Sequence, residues 1–179
     1  MLSLASRLLS KADQTVTTTI DAKLQRYAYE SLRTQLAALA SQKANAGAAL
    51  VLNNETGEVL AYVANSGLVE DSVWVDGVQA QRQAGSTLKP FLYGLAIEKN
   101  RLTAASVIDD APINISTPLG LYVPQNYEHD FKGAVTVRTA LASSLNVPAV
   151  LTLGKVGVEP FWQLLNDVGF NLQEQADYY

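Results

Sequence analysis

The chain has 179 residues, of which 48% are hydrophobic and 17% are charged, and this composition is typical of a globular domain with its own core. The net charge of −4 argues against nucleic-acid binding and against electrostatic attachment to a membrane surface. The chain has no cysteine, so it has no disulfides and no thiolate metal sites. Its single histidine, His129, lies in a polar run, and one histidine argues against a histidine metal site or a Ser-His-Asp triad.

The first predicted elements are a short leading segment and a long amphipathic helix. Residues 2–9 are too short for the apolar region of a signal peptide, and no apolar run has the length of a transmembrane helix. The β-branched run 15–20 predicts extended backbone, and Asp21 then caps a helix that runs to about Gln42. The apolar face of this helix is predicted to contain Leu24, Tyr27, Ala28, Ser31, Leu32, Leu36 and Leu39.

A β-hairpin is predicted next. Residues 48–53 and 58–64 are two apolar runs, and the short polar turn 54–57 between them ends in glycine. Because the first run is apolar on both faces of a strand, the hairpin is predicted to belong to a sheet that is covered by helices. Residues 65–83 are predicted to be a surface loop with a possible extended piece at Val73–Val75.

The loop leads to Ser86 and Lys89, which lie one turn apart at the start of a helix predicted to reach about Asn100. Residues at positions i and i+3 share a helix face, so the hydroxyl and the amine can meet. A serine attacks poorly until a base removes its proton, and a lysine with a lowered pKa can be that base. The alternative interpretation is a serine cap followed by a solvated lysine.

The remaining chain is predicted to be an irregular segment followed by three helices. Residues 101–131 contain three prolines and are predicted to be mostly irregular. A long irregular segment within a compact domain is often a functional surface. Residues 135–144 predict a helix capped by Thr136. A second helix begins at Val147-Pro148 and ends at Gly154 or Gly157. Residues 159–168 predict a third helix that ends before a glycine.

Ser144-Leu145-Asn146 lies between two of these helices and has the form Ser-x-Asn. A serine hydroxyl there can relay protons between Lys89, Ser86 and a leaving amine, and an asparagine amide offers a donor and an acceptor to an amide substrate. The alternative interpretation is an ordinary polar helix terminus.

Together, Ser-x-x-Lys and Ser-x-Asn are two of the three motifs that penicillin-binding proteins share with serine β-lactamases. The sequence resembles the transpeptidase domain of class A, bifunctional penicillin-binding proteins, in particular the 1C type. The resemblance covers about residues 17–169, and it is also carried by residues 18–25, the hairpin 48–63 and the run 135–149.

This resemblance implies an α/β (α+β) fold in which an antiparallel sheet is packed with helices. It implies that Ser86 is the acylated nucleophile, Lys89 its general base, Ser144 a proton relay and Asn146 a ligand of the substrate amide. The implied partners are peptidoglycan stem peptides ending in D-Ala-D-Ala and β-lactam antibiotics, with no cofactor, no metal and no nucleic acid. The implied location is the periplasmic face of the bacterial inner membrane.

The third motif of the family, Lys-Thr-Gly, is absent, because no lysine in the sequence is followed by Thr-Gly. We therefore expect residues 1–16 to be a linker from a missing upstream domain, and residues 17–179 to be a partial transpeptidase domain that ends before the later sheet strands. Such a piece is expected to have little activity alone. Since a lone hairpin is marginally stable, the piece is also expected either to be poorly stable or to pair with the missing C-terminal half or with another copy of the chain.

Three alternatives remain open from the sequence. A serine β-lactamase would share the first two motifs, but no Glu-x-x-Leu-Asn run follows Asn146. A non-catalytic module would bind β-lactams or wall peptides without turnover. An unrelated soluble α/β domain would carry both motifs by chance.

Overall fold

A computed structural model describes residues 15–44, 46–65, 75–117 and 120–172 of the chain. The structure divides into two compact units, Met1–Arg82 and Gln83–Tyr179. The predicted segment 2–9, most of the possible extended piece 73–75 and the end of the tail lie outside the described residues.

The first unit contains helix α1, Ala22–Ala38, which begins at Asp21. Oδ1 of Asp21 accepts hydrogen bonds from the backbone N–H groups of Lys23 and Leu24, each at 2.8 Å. These two groups have no partner within the helix, so the carboxylate stabilises its first turn. The predicted cap is confirmed, and a short 3₁₀ turn, Ala40–Gln42, follows the helix near its predicted end.

The predicted hairpin is also confirmed. Strands β1, Ala49–Leu52, and β2, Val59–Val63, pair antiparallel. The prediction of a sheet covered by helices holds for one face of the hairpin, on which helix α1 packs. Tyr27, which was predicted to lie on the apolar face of this helix, is 72% exposed. On the other face of the hairpin Leu50 and Leu52 are 44% and 47% exposed. The cluster between helix and hairpin contains Leu24, Ala28, Tyr29, Leu32, Ala49, Val51, Ala61 and Val63.

Four helices and their shared core form most of the second unit. Helix α2, Lys89–Glu98, follows a 3₁₀ turn at Gly85–Leu88. The other helices are α3, Val137–Ala142, α4, Asn146–Val156, and α5, Val158–Asp167. Helix α2 packs against all three, so the start of α2 is fixed against the elements that follow it. The core contains Leu92, Tyr93, Leu95, Ala96, Leu102, Ile108, Val135, Val137, Ala140, Leu145, Ala149 and Val156.

Two short antiparallel ribbons precede α3. Strand β3, Val107–Asp110, pairs with β6, Gly133–Thr136, and strand β4, Ile115–Thr117, pairs with β5, Gly120–Tyr122. The prediction that 101–131 is mostly irregular is therefore wrong for these strands, and Val135 lies in a strand and not in a helix. Strands of three or four residues are too short to show an alternating pattern. In addition, β3 pairs with a strand that is distant in the sequence, so this pairing leaves no local signal.

The predicted helix boundaries in this unit are largely confirmed. Oγ1 of Thr136 accepts from the backbone N–H of Thr139 at 3.2 Å and caps α3. Pro148 lies in the first turn of α4, where a missing N–H leaves no hydrogen bond broken, and α4 ends at Gly157.

The structure thus combines helices with antiparallel strands, as the α/β (α+β) prediction required. None of the helices in the described part of the chain has the length and apolarity needed to cross a bilayer.

Candidate active site

The candidate site begins where the 3₁₀ turn Gly85–Leu88 continues into α2. Gly85 has φ +53°, a left-handed conformation that glycine adopts without steric penalty. Ser86 is exposed in the turn, and Lys89, the first residue of α2, is only 8% exposed. Residues three apart eclipse one another in a 3₁₀ turn, so Ser86 and Lys89 lie on the same side.

The amine of Lys89 is held by two residues from the turn between α3 and α4. Nζ donates to the backbone oxygen of Ser144 at 2.5 Å, to Oγ of Ser144 at 3.1 Å and to Oδ1 of Asn146 at 2.7 Å. The structure therefore brings together three of the four residues predicted from the sequence, although 55 and 57 positions separate Lys89 from its partners.

Only one of these three partners can reverse the direction of its hydrogen bond. A carbonyl oxygen accepts but cannot donate, whereas a hydroxyl can do both. When Lys89 is an ammonium, all three bonds use its protons. When Lys89 is a neutral amine, its lone pair can accept the proton of the Ser144 hydroxyl while the two carbonyl oxygens stay bound. Of the three oxygens bound to Nζ, the Ser144 hydroxyl is thus the one that can also donate a proton to Lys89.

Burial lowers the pKa of Lys89 below its ordinary value of 10.5, because removal from water disfavours the charged form. Among the described residues, no carboxylate contacts Lys89 to oppose this effect. Lys132 in the same unit is the contrast: it is exposed, and its hydrogen bond to Asp130 raises its pKa. Burial therefore makes the neutral, basic form of Lys89 more accessible than it is for an exposed lysine.

Ser144 itself has an unusual backbone conformation, with φ +52°. Its N–H donates to Leu141 O, and the N–H of Leu145 donates to Ala140 O, each at 3.0 Å. This pair of bonds is the Schellman motif that ends a helix, and its left-handed residue is usually glycine. A serine there accepts steric strain, and such strain is often found at functional sites.

We expect Ser144→Gly to be more stable than Ser144→Ala by about 1 kcal/mol, because both lose the hydroxyl but only glycine relieves the left-handed strain. Urea unfolding of both variants of the full chain measures the difference. The matched control is Ser143, which has φ −90°, so there alanine should be the more stable replacement. Equal stability of the two variants at position 144 would contradict the strain.

Asn146 is oriented by a loop that the sequence analysis did not connect with it. Its Nδ2 donates to Gln125 O at 2.8 Å, and its backbone N–H donates to Oδ1 of Asn126 at 2.8 Å. Asn126 in turn contacts the buried carboxylate of Asp110. The only sequence signal was that residues 101–131 form a polar, proline-containing segment of the kind that often has a function.

The fourth predicted residue, Ser86, is placed one turn before Lys89 but is not bound to it. Within the described part of the chain, the Ser86 hydroxyl makes no hydrogen bond, so it is free to meet a reactant from solvent. His129 lies in an exposed loop, as predicted, beside Gln125. No group of three or more His, Cys, Asp or Glu side chains that could hold a metal occurs among the described residues.

Comparison with known proteins gives a consistent set of matches. A family model described as the penicillin binding protein transpeptidase domain matches residues 47–178. Penicillin-binding protein 1C of Escherichia coli is 36% identical over 165 residues, which are 91% of this chain and 20% of that protein. The chain spans about a fifth of the length of the curated relatives it matches.

Solved structures agree with the sequence matches. Penicillin-binding protein 1A from Haemophilus influenzae is 32% identical with a TM-score of 0.63, over 71% of this chain and 19% of that chain. A peptidoglycan glycosyltransferase from Burkholderia ambifaria is 27% identical with a TM-score of 0.69, over 86% of this chain and 45% of that chain.

Proposed function

The chain belongs to the penicillin-binding protein transpeptidase family, as the two motifs predicted, and from this premise we propose that it carries the nucleophile and the base of a peptidoglycan D,D-transpeptidase. In this proposal Ser86 is the nucleophile, Lys89 its general base, Ser144 the proton relay and Asn146 the ligand of the substrate amide. One observation carries it: Lys89 is buried, has no carboxylate partner among the described residues, and lies one turn after an exposed serine.

The first step is acylation of Ser86 by a stem peptide that ends in D-Ala-D-Ala. Neutral Lys89 takes the proton of the Ser86 hydroxyl as Oγ forms a bond to the carbonyl carbon of the penultimate D-alanine. The bond from that carbon to the terminal nitrogen breaks, and the nitrogen receives a proton from Lys89 through the hydroxyl of Ser144. The terminal D-alanine leaves, and an ester on Ser86 remains.

The second step transfers the peptide to an amine of a neighbouring stem. The amine nitrogen attacks the ester carbonyl, gives up a proton to Lys89, and forms the new amide as Ser86 Oγ leaves. The same proton returns to Oγ, so the site is restored with no net gain or loss of protons. A β-lactam follows the first step only. Its leaving nitrogen stays tethered to the acyl group after the ring opens, which holds the ester in place.

The chain matches about a fifth of the length of its curated relatives, and we propose that it is part of a protein with a corresponding arrangement. Residues 17–179 would be one part of a transpeptidase domain, and residues 1–16 would connect it to an upstream domain. The Lys-Thr-Gly strand and the remaining oxyanion donors would come from the missing C-terminal half or from another copy of the chain. Loss of one such donor typically slows acyl transfer about 100- to 1,000-fold. The proposed location is the periplasmic face of the inner membrane.

Intact mass spectrometry of the full chain, with and without benzylpenicillin, tests this proposal. Because missing oxyanion donors slow acylation, the incubation is long enough to compensate for that loss. Over this time we expect wild type to gain the mass of one penicillin, and Ser86→Ala to gain none. Ser143→Ala is the matched control, since Ser143 is also an exposed serine of the second unit, and it should react like wild type. Absence of the adduct from wild type, or its survival in Ser86→Ala, would contradict the proposed role of Ser86.

A second candidate function is binding of wall peptides or β-lactams without turnover. The Ser86 hydroxyl makes no hydrogen bond to Lys89 within the described part of the chain, and this observation favours it. This function predicts that Ser86→Ala keeps the affinity of wild type for a D-Ala-D-Ala peptide and that no covalent adduct forms. Calorimetric titration of the peptide into both proteins separates it from the catalytic proposal.

A further inference from the structure

The side chain of Asp110 is completely buried at the end of β3, and no lysine or arginine among the described residues forms an ion pair with it. Its two oxygens accept hydrogen bonds from Nδ2 of Asn126 at 2.9 and 2.8 Å, and Oδ2 also accepts from the backbone N–H of Lys132 at 2.9 Å. A buried carboxylate without a cation is costly, and an apolar residue at such a place is often more stable. The charge therefore requires a reason other than packing.

The first effect of this carboxylate is to fix the direction of the Asn126 amide. An ionised carboxylate only accepts hydrogen bonds, so the amide nitrogen of Asn126 must face Asp110. The same nitrogen also donates to the backbone oxygen of Asp130 at 2.8 Å. With the nitrogen held on this side, Oδ1 of Asn126 must point the other way.

The second effect is on the first turn of α4. Leu145 precedes this helix and has no side-chain oxygen with which to cap it. Oδ1 of Asn126 takes that role from a distant loop, because it accepts from the backbone N–H of Asn146 at 2.8 Å and of Val147 at 3.5 Å. Gln125 O accepts from the side chain of Asn146, so two consecutive loop residues hold its backbone and its side chain.

We propose that Asp110 and Asn126 are positioning residues that act through Asn146 to hold the amine of Lys89 in its reactive place. The chain of contacts runs from the Asp110 carboxylate to the Asn126 amide, to the backbone N–H of Asn146, and from Oδ1 of Asn146 to Nζ of Lys89 at 2.7 Å. The inference rests on the proposed function for the role of Lys89, but the contacts themselves are testable without turnover.

Three variants of the full chain test this role: Asp110→Asn, Asn126→Asp and the double variant that carries both. In Asp110→Asn the new amide can donate or accept, so Asn126 is free to reverse and to turn its nitrogen toward Asn146. In Asn126→Asp two carboxylates face one another. The double variant exchanges the carboxylate at position 110 and the amide at position 126, so an amide donor again faces a carboxylate. It therefore tests the contact even if a single substitution prevents folding. The matched controls are Asp109→Asn and Asn54→Asp, both at exposed positions.

The first readout is amide hydrogen exchange, which requires no activity. In each single variant we expect the amides of Asn146 and Val147 to exchange about tenfold faster or more, while amides in the middle of α2 keep their protection. The second readout is the rate of penicillin acylation, which should fall about 10- to 100-fold. The double variant should return to within about threefold of wild type in both readouts, and the two controls should not differ from wild type.

Two results would overturn the inference. One is unchanged exchange at Asn146 and Val147 in Asp110→Asn, and the other is an equal loss of protection throughout the second unit, which would indicate a general structural role. A double variant that neither folds nor recovers would also count against it. If exchange responds as expected but wild type forms no adduct, the positioning of Asn146 stands and the proposed function fails. If wild type forms the adduct but exchange at Asn146 and Val147 does not change in the variants, the proposed function stands and the positioning role of Asp110 and Asn126 fails.

Discussion

Lys89→Met should slow penicillin acylation of Ser86 by about 100- to 10,000-fold, which is the usual contribution of a general base. Methionine has a similar length and can occupy the buried space beside Ser144 and Asn146, but it has no lone pair that can accept the serine proton. Lys89→Arg should lose a similar factor for another reason. A guanidinium keeps the positive charge but does not deprotonate in proteins, so it can stabilise negative charge but cannot accept the proton of Ser86.

The acylation rate constants of both variants are measured by stopped-flow with a fluorescent penicillin, and adducts are confirmed by mass. The matched control is Lys99→Met, at the exposed C-terminal end of the same helix, which should react like wild type. If Lys89→Arg kept the wild-type rate, a charge alone would be sufficient and the role of base would be wrong.

Stability against pH gives an independent check of the same lysine. Because burial lowers the pKa of Lys89 in the folded chain, the unfolded chain binds more protons between that pKa and 10.5. The free energy of unfolding of wild type therefore increases as pH rises through this window. Lys89→Met has no titrating group at this position, so its free energy of unfolding does not show this increase. The stability of the variant relative to wild type should thus be higher at pH 7 than at pH 10.

The local part of the site could be predicted from the sequence, because it depends on short spacing. Ser86 and Lys89 are three residues apart, so any helical turn places them on one side. Ser144 and Asn146 were likewise predictable as the end of one helix and the start of the next. That these two pairs meet was implied only by the family resemblance, since no periodicity in the sequence joins residues this far apart.

The long-range support of the site could not be predicted in this way. Asp109 and Asp110 are adjacent and chemically identical, yet one is exposed and the other completely buried. Their difference arises from the pairing of β3 with β6, which was not predicted because strands this short show no pattern. The link from Asp110 to Asn126 depends on the direction of one amide, and the hydrogen-bond partners that set this direction come from three separate segments.

The backbone of Ser144 is a further case in which local rules gave the element but not its conformation. A helix end was predicted near Ser144, and glycine is the residue that normally indicates the left-handed position there. Serine at this position gives no such indication. Its hydroxyl contacts Nζ of Lys89 at 3.1 Å, and we interpret the strain as the consequence of placing that hydroxyl in a turn that favours glycine.

Asn146→Asp should lower penicillin acylation about 100-fold at neutral pH, and the part of this loss that is caused by the new charge should return as pH rises. The substitution replaces a neutral oxygen, 2.7 Å from Nζ of Lys89, with a carboxylate of the same shape. An opposite charge at this distance favours the ammonium and shifts a pKa by about 1 to 3 units. The pKa of Lys89 should therefore be raised, whereas burial lowers it in wild type, and the base should be available only above the new value.

Acylation rates of wild type and Asn146→Asp between pH 6 and pH 10 measure this shift. Asn54→Asp adds the same single charge at an exposed turn of the hairpin and should leave the profile unchanged. Asn146→Ala removes the amide without adding charge, so it should lower the rate without moving the profile to higher pH. A profile that stays in place in Asn146→Asp would mean that Lys89 is not the titrating base. The proton of Ser86 would then have to leave by a route that does not pass through Lys89.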